Sequence, residues 1–226
     1  MEQRCYSVAI DGPAGAGKST IARALAEQLK FVYIDTGAMY RSLGLYAAEH
    51  GAEVTDRQSV IALLPEIHLE LRFESGRQHI LVNERDVSGA IRTEEASRWA
   101  SAVSAIPEVR SFLLEFQRSF AKTNNILMDG RDIGTVVLPD ADLKIFLTAS
   151  AEARAARRFA EQRAKGEDVT YEAVLDAMRQ RDLQDSTRAA APLKAAEDAI
   201  LVDTTSMDLQ QSVAHIRSII WEKLHV

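Results

Sequence analysis

The sequence contains a single cysteine, Cys5, so it cannot form a disulfide within the chain. This suits the reducing environment of the cytosol, and we expect a cytoplasmic location. No apolar run approaches the ~20 residues that a membrane-spanning helix needs. A basic region followed by an apolar one, as in a secretory signal, does not open the chain either. We therefore expect no association with a membrane.

The chain also lacks an excess of positive charge. It has 27 lysines and arginines against 33 aspartates and glutamates, a formal net charge of −6 at pH 7. A broad nucleic-acid surface would need the opposite balance, so we expect no nucleic-acid partner. Internal repeats and low-complexity linkers are absent as well. The 226 residues, 46% of them hydrophobic, allow one large domain or a core with small insertions, and we expect a monomer.

What the sequence does contain is a glycine-rich loop of the pattern G-x-x-x-x-G-K-[ST], from Gly12 to Ser19. An apolar run of strand type, residues 6–10, precedes it, and a stretch rich in helix formers, residues 20–29, follows. A glycine-rich turn with a chance lysine would lack these flanks. The pattern predicts a P-loop, in which Lys18 reaches the β- and γ-phosphates of ATP and the Ser19 hydroxyl ligates Mg²⁺.

Four more apolar runs of strand type follow, at residues 31–34, 125–129, 143–147 and 199–202. The stretches between them favour helices, over residues 38–50, 151–165, 171–183 and 209–224 and from residues 92 and 107. This alternation predicts an α/β fold with a five-stranded parallel sheet and helices on both faces. Right-handed crossovers place all five carboxyl ends at one edge. We therefore expect one crevice there, where the P-loop meets the segments Asp35–Thr36, Asp129–Asp132 and Asp203–Thr204.

Residues 63–95 depart from this alternation. Residues 67–73 alternate apolar and polar side chains, residues 78–82 have the pattern of a returning strand, and residues 74–77 and 83–86 are turn candidates. We predict a small antiparallel insertion at 63–95 within a core formed by residues 1–62 and 96–226.

Several polar residues near the predicted crevice have two interpretations. Asp129 ends an apolar strand and resembles the Walker B acid that supports the Mg²⁺ shell, although this pattern is common by chance. Asp35 and Thr36 also fit a helix cap, and Arg41 fits a surface charge. The arginines between residues 154 and 163 would form a solvated helix face in many chains. Beside a P-loop they indicate a helical lid, at about residues 154–168.

The predicted crevice has more arginines than one triphosphate requires. Apart from the lid, they are Arg41, Arg110, Arg131, Arg181 and Arg188. A guanidinium group binds phosphate through two parallel hydrogen bonds, so the surplus indicates a second phosphorylated ligand. This favours a kinase whose acceptor is a phosphate ester, and such an acceptor needs no general base.

Five segments together make the chain similar to the bacterial cytidylate (CMP) kinases. They read IDGPAGAGKST, DTGAMYR, DVSGAIRT, DGRDIGTVVLPDA and RQRDLQDSTRAAAPL, and the resemblance covers essentially the full length. It implies transfer of the γ-phosphoryl group of ATP, with Mg²⁺, to CMP or dCMP, giving ADP and CDP or dCDP in pyrimidine nucleotide metabolism. The insertion would be the monophosphate-binding region.

The resemblance also implies roles for individual residues. The ATP-binding residues would be Gly12, Pro13, Ala14, Gly15, Ala16, Gly17, Lys18, Ser19, Thr20, Arg157 and Arg158. The CMP phosphate would be clamped by Arg41, Arg131 and Arg188. The cytosine would be read by Ser101, Arg110 and Asp132, with a base contact from Thr36. The sugar would meet Asp185, held in place by Arg181, which would also lie near the transferring group. The expected catalytic residues are Lys18, Arg131, Arg181 and Arg188.

Two other functions remain open from the sequence. A small-metabolite kinase of the shikimate type would lack the RD-x-x-D-S-x-R segment, and a thermal-shift screen of CMP against non-nucleotide acceptors would separate it. A P-loop regulatory switch or binding ATPase would orient water rather than an acceptor. Measuring ADP release with and without CMP would identify that case.

Overall fold

The structure is a computed structural model of the chain, and it describes residues 4–74 and 77–226. The strands within these residues are β1 (Ser7–Asp11), β2 (Val32–Asp35), β3 (Leu69–Glu74), β4 (Arg77–Val82), β5 (Arg85–Asp86), β6 (Ile126–Gly130), β7 (Leu143–Thr148) and β8 (Ile200–Asp203). The helices are α1 (Lys18–Leu29), α2 (Thr36–Glu49), α3 (Arg57–Leu63), α4 (Glu94–Val103), α5 (Pro107–Ala121), α6 (Ala151–Ala164), α7 (Tyr171–Thr187) and α8 (Leu209–Leu224).

Five of the strands form a parallel sheet in the order β2-β6-β1-β7-β8. The prediction of a five-stranded parallel sheet is therefore confirmed. The strand order places β1, which leads into the P-loop, at the centre, and β6, which leads into residues 130–132, beside it. The carboxyl ends of β1, β2 and β6 consequently lie next to one another at one edge of the sheet.

Helices cover both faces of this sheet, as expected for a parallel sheet whose strands are buried on both sides. Alternate residues of β1 face opposite cores. Val8 and Ile10 pack with α1 and α8, in a cluster that includes Leu25, Ile145, Ile216 and Ile220. Ala9 belongs to the other cluster, with α2, α4 and α5, which includes Ile34, Met39, Leu43, Trp99, Val109 and Leu113.

Two helices on the second face, α2 and α4, approach each other closely. A Cβ atom added to Gly44 would lie 2.5 Å from the Cβ atom of Trp99, so only glycine fits at this point of α2. The close packing brings the start of α2 and the end of α4 to the same region. Thr36 and Arg41 of α2 and Ser101 of α4 consequently line the same space at the carboxyl edge of the sheet.

The predicted insertion contains a second sheet, antiparallel and in the order β3-β4-β5. The turn predicted at residues 83–86 is shorter than expected, because Asn83 and Glu84 alone adopt positive φ angles, 49° and 68°, and β5 begins directly afterwards. The centre of the other predicted turn, residues 75 and 76, lies outside the described residues. The domain limits at 63–95 remain a prediction.

Three local features differ from the sequence-based expectation. Helix α3 was not predicted; Asp56 begins it by accepting a hydrogen bond from the Gln58 amide at 2.9 Å. Helix α7 continues to Thr187 and therefore includes Asp185. Residues Ile133–Val137, for which no helix was predicted, form a π-helical turn. No helix in the described part of the chain is long and apolar enough to cross a membrane.

Candidate active site

A cavity of about 350 Å³ opens at the carboxyl ends of β1, β2 and β6. It brings together most of the site residues predicted from the sequence. Those on its lining are Ala14, Gly15, Gly17, Lys18, Ser19, Thr20, Thr36, Arg41, Ser101, Arg110, Asp129, Arg131, Asp132, Arg157, Arg158, Arg181, Asp185 and Arg188. Three predicted P-loop residues, Gly12, Pro13 and Ala16, are not part of the lining.

The P-loop connects β1 to α1 in a conformation that depends on glycine. Gly12 has a φ of 148°, and a Cβ atom there would lie 1.9 Å from the Leu147 carbonyl oxygen. Helix α1 then starts at Lys18 without a side-chain cap and without an acidic residue in its first turn. Its first N–H groups therefore remain available to an anion, which is the usual arrangement of a phosphate site.

Lys18 is a buried cation in this loop. Its Nζ atom donates a hydrogen bond to the Pro13 carbonyl oxygen at 2.8 Å, and the residue is 6% exposed. Burial, together with the positive charge of Arg131, lowers the pKa of Lys18 below its usual value. An anion bound at the loop would reverse this effect by stabilising the ammonium form.

Asp129 connects the P-loop to the neighbouring strand. Its carboxylate accepts hydrogen bonds from the Ser19 hydroxyl at 2.7 Å and from the Tyr33 hydroxyl at 3.0 Å. Burial and the nearby Asp35 carboxylate raise the pKa of Asp129. A hydroxyl and a carboxylate oxygen this close together are ligands suited to Mg²⁺, which keeps several waters and takes further oxygens from substrate phosphates. The residues present therefore fit a magnesium site.

The opposite half of the cavity contains carboxylates paired with arginines from other elements. Arg41 donates to Asp35 at 2.9 Å, and Arg110 donates to Asp132. Asp35 also caps α2 by accepting from the Ala38 amide at 2.8 Å, so the helix-cap interpretation of Asp35 is confirmed.

Asp185 is held by a different arginine from the one expected. The Nε atom of Arg131 donates to its carboxylate at 2.9 Å, whereas Arg181 makes no hydrogen bond with it. Burial alone would raise the pKa of Asp185, but the pKa is lowered, and the positive charge of Arg131 is the main reason. The hydrogen bond expected from Arg181 thus comes from Arg131 instead, because the extended α7 places Asp185 beside the segment that follows β6. The positive charge of Arg181 also lowers the pKa of Asp185.

Three arginines of this cavity have buried nitrogen atoms without a hydrogen-bond partner among the described residues. The atoms are Nε of Arg41, Nε of Arg181 and Nη2 of Arg188. Burial and the charge of Arg131 lower the pKa of Arg181 to about 10, which shows how closely positive charges crowd here. Buried donors are rarely left unpaired in native proteins, so these atoms mark a place for an anionic or acceptor-rich ligand.

Asp132 lies between two of the arginines. Arg110 binds one of its oxygen atoms, and Nη2 of Arg188 is 3.6 Å from the other. Burial raises the pKa of Asp132, while the surrounding arginines act in the opposite direction. Ser104 supports the same arginines, because its carbonyl oxygen accepts from Arg110 at 3.2 Å and its hydroxyl from Arg188 at 3.3 Å.

The sequence reasoning missed Ser104 and Tyr40, which both line the cavity. The Arg110 guanidinium carbon lies 5.7 Å from the centre of the Tyr40 ring, within the range of a cation–π contact. A signal for Tyr40 was available, since it follows Thr36 by four residues on the same helix and therefore shares its face. Ser104 has no comparable signal, because only the fold brings it near the arginines.

The two hydroxyl side chains expected near the base already donate elsewhere. The Thr36 hydroxyl donates to the Asp129 carbonyl oxygen at 2.7 Å, and the Ser101 hydroxyl donates to Gln184 at 3.0 Å. Each of them can therefore meet a ligand in this arrangement chiefly as an acceptor.

Three of the predicted lid arginines, Arg154, Arg157 and Arg158, separate into two kinds. Arg157 and Arg158 line the cavity; Arg157 donates to the Thr204 carbonyl oxygen at 2.6 Å, and Arg158 pairs with Glu94. Arg154 is buried and binds Asp182 at 2.6 Å and the Ala14 carbonyl oxygen at 3.0 Å, so it joins α6 to α7 and to the P-loop. The expectation that Arg154 belongs to the phosphate-facing group was wrong.

The segment Asp203–Thr204 was also expected in the crevice and is not on its lining. Thr204 is buried, and its amide donates to the Thr148 carbonyl oxygen at 2.9 Å, which extends the pairing of β7 with β8. Strand β8 lies at the far edge of the sheet, too distant from β6 to contribute there.

The sequence matches the model of the family described as cytidylate kinase over residues 8–222. A relative named cytidylate kinase from Carboxydothermus hydrogenoformans is 50% identical over 216 residues, which cover 96% of this chain and 97% of the relative. Another of that name, from Pseudomonas putida, is 46% identical over 222 residues, with 96% of each chain covered.

Among solved structures, the fold is similar to that of an uncharacterized protein from Eubacterium ventriosum. The TM-score is 0.51 at 14% sequence identity, and the match covers 95% of this chain and 98% of the other. At this identity the likeness concerns the fold alone.

Proposed function

The chain belongs to the cytidylate kinase family, and from this premise we propose that its cavity transfers the γ-phosphoryl group of ATP to CMP or dCMP. The products are ADP and CDP or dCDP. The observation that carries the proposal is the set of buried arginine nitrogens without a hydrogen bond, at Arg41, Arg181 and Arg188, in the same cavity as a P-loop. One triphosphate does not need them, whereas a second phosphate would.

The P-loop half binds ATP in this proposal. Residues 12–20 surround its phosphates, Lys18 supplies the buried positive charge, and Arg157 and Arg158 approach from α6. Ser19, with Asp129 behind it, would hold Mg²⁺, which when bound neutralises charge on the phosphates.

The arginine half binds the acceptor. Arg41, Arg131 and Arg188 clamp the phosphate of CMP, and one of its oxygens is the nucleophile. That oxygen is already ionised at neutral pH, so no side chain has to remove a proton. What the chain supplies is position and positive charge, and these are the main requirements of phosphoryl transfer.

The cytosine is read by Asp132 and Arg110. An ionised Asp132 can only accept a hydrogen bond, which suits the N4 amino group of cytosine and repels the O4 atom of uracil. Arg110 can only donate, which suits N3 or O2 of cytosine. Ser101 and Thr36 add acceptor atoms near the base, and the hydrogen bond from Arg110 fixes the carboxylate of Asp132.

The sugar meets Asp185, which Arg131 holds in place. Arg131 therefore connects the sugar contact to the phosphate clamp. If Asp185 accepts from the 3′-hydroxyl, which CMP and dCMP share, both are substrates. Arg181 lines the same cavity as the P-loop, and its buried Nε donor, which has no hydrogen bond, supports a role on the transferring group.

Other parts of the proposal concern the whole chain. Residues 63–95 form the monophosphate-binding insertion, and about residues 154–168 form a lid that excludes water, so that ATP is not hydrolysed. The enzyme acts in the cytoplasm as a monomer, without a membrane or nucleic-acid partner.

The proposal is tested by a coupled assay of ADP release with CMP, dCMP, UMP, AMP and shikimate as acceptors, together with a reaction that has no acceptor. We expect turnover with CMP and dCMP and a clear preference over the other acceptors. Equal ADP release with and without CMP would instead indicate a P-loop ATPase. Turnover with shikimate but not with CMP would indicate a small-metabolite kinase.

A further inference from the structure

Asp11 is a buried carboxylate that the steps above do not use. It is the last residue of β1, directly before the P-loop, and it is 5% exposed. It is not part of the cavity lining. Its two oxygens accept hydrogen bonds from the backbone amides of Ile133, at 2.8 Å, and Gly134, at 2.7 Å. These amides are the first two of the π-helical turn Ile133–Val137, and the first amides of a helical turn have no acceptor within it.

The other end of the same turn is held by Arg118 of α5. Its Nε atom donates to the Val137 carbonyl oxygen at 2.9 Å, and its Nη2 atom donates to the Val136 carbonyl oxygen at 3.1 Å. A carboxylate thus binds the free N–H groups at one end of the turn, and a guanidinium binds the carbonyl groups at the other. Both side chains come from elements outside the turn.

Asp132 is attached directly to the turn held in this way. Its carbonyl oxygen accepts from the amides of Val136, at 2.9 Å, and Val137, at 3.2 Å. The Asp132 backbone is therefore part of the turn's own hydrogen bonding. Any shift of the turn would move the Asp132 carboxylate relative to Arg110 and Arg188.

The P-loop does not depend on the Asp11 side chain in the same way. The backbone of Asp11 pairs with Gly130 in β6 on one side and with Phe146 in β7 on the other. The sheet thus fixes the start of the P-loop, whereas the hydrogen bonds of the carboxylate go to the turn. The charge of Asp11 also acts on Lys18, but it does not set the path of the loop backbone. Losing the carboxylate should disturb the turn and leave the phosphate loop in place.

We propose that Asp11 and Arg118 are positioning residues, which hold the turn Ile133–Val137 by its two ends and so fix Asp132 for the selection of cytosine over uracil. The inference rests on the proposed function of the cavity. Neither residue touches a substrate; both act through Asp132.

The substitution Asp11→Asn tests the end of the turn at which the Ile133 and Gly134 amides are bound. The carboxamide keeps one acceptor oxygen but presents its NH₂ group to the second backbone amide, so one hydrogen bond is replaced by two opposing donors. A shift of about 1 Å in a positioned group can cost up to about 10²-fold in rate. We expect the preference for CMP over UMP in kcat/KM to fall about ten-fold, while the KM for ATP changes by a smaller factor.

Asp142→Asn is the matched control. Asp142 also accepts a hydrogen bond from a backbone amide, that of Ser7 at 2.8 Å, but this amide is at the start of β1, the end of the strand opposite to Asp11. Asp142→Asn should leave the ratio of kcat/KM for CMP to that for UMP unchanged. A second control uses Asp132→Asn as the background, because a residue that acts only through Asp132 should change the ratio little once Asp132 is altered.

The experiment measures kcat/KM for CMP and UMP and KM for ATP in the wild type, Asp11→Asn, Arg118→Gln and the two controls, with folding checked by circular dichroism. The inference is supported if Asp11→Asn and Arg118→Gln each lower the ratio of kcat/KM for CMP to that for UMP. Neither substitution should lower this ratio further when Asp132→Asn is already present. If Asp11→Asn does not fold, Arg118→Gln decides by the same ratio.

An unchanged ratio in the folded variants, or a larger effect on ATP than on CMP, would overturn the inference. A wild-type enzyme that does not phosphorylate CMP would instead refute the proposed function, so the two failures are distinct.

Discussion

The two halves of the cavity are built in different ways. The P-loop half comes from one continuous stretch, Ala14 to Thr20, between a strand and a helix. The acceptor half is assembled from α2, α4, α5, the segment after β6, and α7 with the residue that follows it. The first half depends on backbone geometry, and the second depends on ion pairs between elements, such as Arg41 with Asp35 and Arg131 with Asp185.

This difference predicts a separation of effects. Lys18 pairs with a carbonyl oxygen rather than with a carboxylate, so its charge is available to a migrating phosphoryl group. In the acceptor half the carboxylates are already bound to arginines, so the geometry there decides which acceptor fits. Changes in the first half should lower the rate, and changes in the second should alter the choice of acceptor.

The largest effect is expected for Lys18→Ala. Losing one such electrostatic contact to the transition state should lower kcat by about 10²–10³-fold. Lys144→Ala is a matched control, since Lys144 is also buried but binds Asp198 outside the cavity lining. Steady-state kinetics with CMP and ATP measures both. Near wild-type turnover by folded Lys18→Ala would contradict the account of the P-loop half.

A smaller effect, on selectivity, is expected for Asp132→Asn. The amide can turn a donor toward the O4 atom of uracil, and a paired contact with a base edge contributes about 1–3 kcal/mol in other base-reading sites. The CMP preference over UMP should therefore shrink about ten-fold or more, at about 1.4 kcal/mol per ten-fold.

If Asp132 only supports Arg110, the same substitution would lower kcat/KM for CMP and UMP by the same factor. An unchanged ratio would then reject base reading by this residue. The comparison of kcat/KM for the two nucleotides distinguishes the two cases without any assumption about the size of the overall loss.

The sequence allowed the P-loop half to be predicted almost completely, because its information is local. A motif of eight residues and the two flanking patterns identify it. The five parallel strands were predictable for the same reason, as each is a continuous apolar run. In the acceptor half, the surplus of arginines indicated a second phosphorylated ligand, but the roles of single residues came only from the resemblance to a family. Nothing in the local pattern around Asp185 indicates that Arg131 will bind it.

The errors have a common physical origin. Arg154 and Arg158 look alike on one helix, yet one is buried against Asp182 and the other lines the cavity, and only the packing of α6 on α7 separates them. The turn at Ile133–Val137 has no periodic pattern, and its ends are satisfied by Asp11 and Arg118 from distant parts of the chain. Contacts of this kind are decided by tertiary structure.

The pH dependence of stability sharpens the interpretation of Asp11. Burial raises the pKa of Asp11 to about 6, against the hydrogen bonds from the Gly134 and Ile133 amides, so the folded state takes up a proton at a higher pH than the unfolded chain does. The contribution of this carboxyl to stability is therefore fully present below its unfolded pKa and is lost as the pH rises through about 6.

Asp11→Asn lacks this titration. From about pH 7.5 to about pH 5, the stability of the wild type should gain about 1 kcal/mol relative to the variant. Urea unfolding of both proteins at the two pH values measures the difference. A constant gap between them would show that Asp11 does not titrate in this range.

The smallest effect concerns the lid. Two of its arginines are paired with carboxylates, Arg154 with Asp182 and Arg158 with Glu94. In the proposed function Arg158 binds ATP and exchanges Glu94 for a phosphate, so Glu94→Gln should lower the KM for ATP. Exposed pairs contribute about 0.2–1 kcal/mol, so the change should be below about five-fold. Glu95→Gln, at the next exposed position of α4, is the control. A raised KM in Glu94→Gln would contradict this account.

The most direct test of the two-half account is one set of kinetic measurements on Lys18→Ala and Asp132→Asn side by side. For each enzyme, kcat and the ratio of kcat/KM for CMP to that for UMP are determined. The account predicts that Lys18→Ala lowers kcat with an unchanged ratio, and that Asp132→Asn lowers the ratio with a much smaller loss of kcat with CMP. A ratio that falls equally in both variants would contradict the division of the cavity into a phosphate half and an acceptor half.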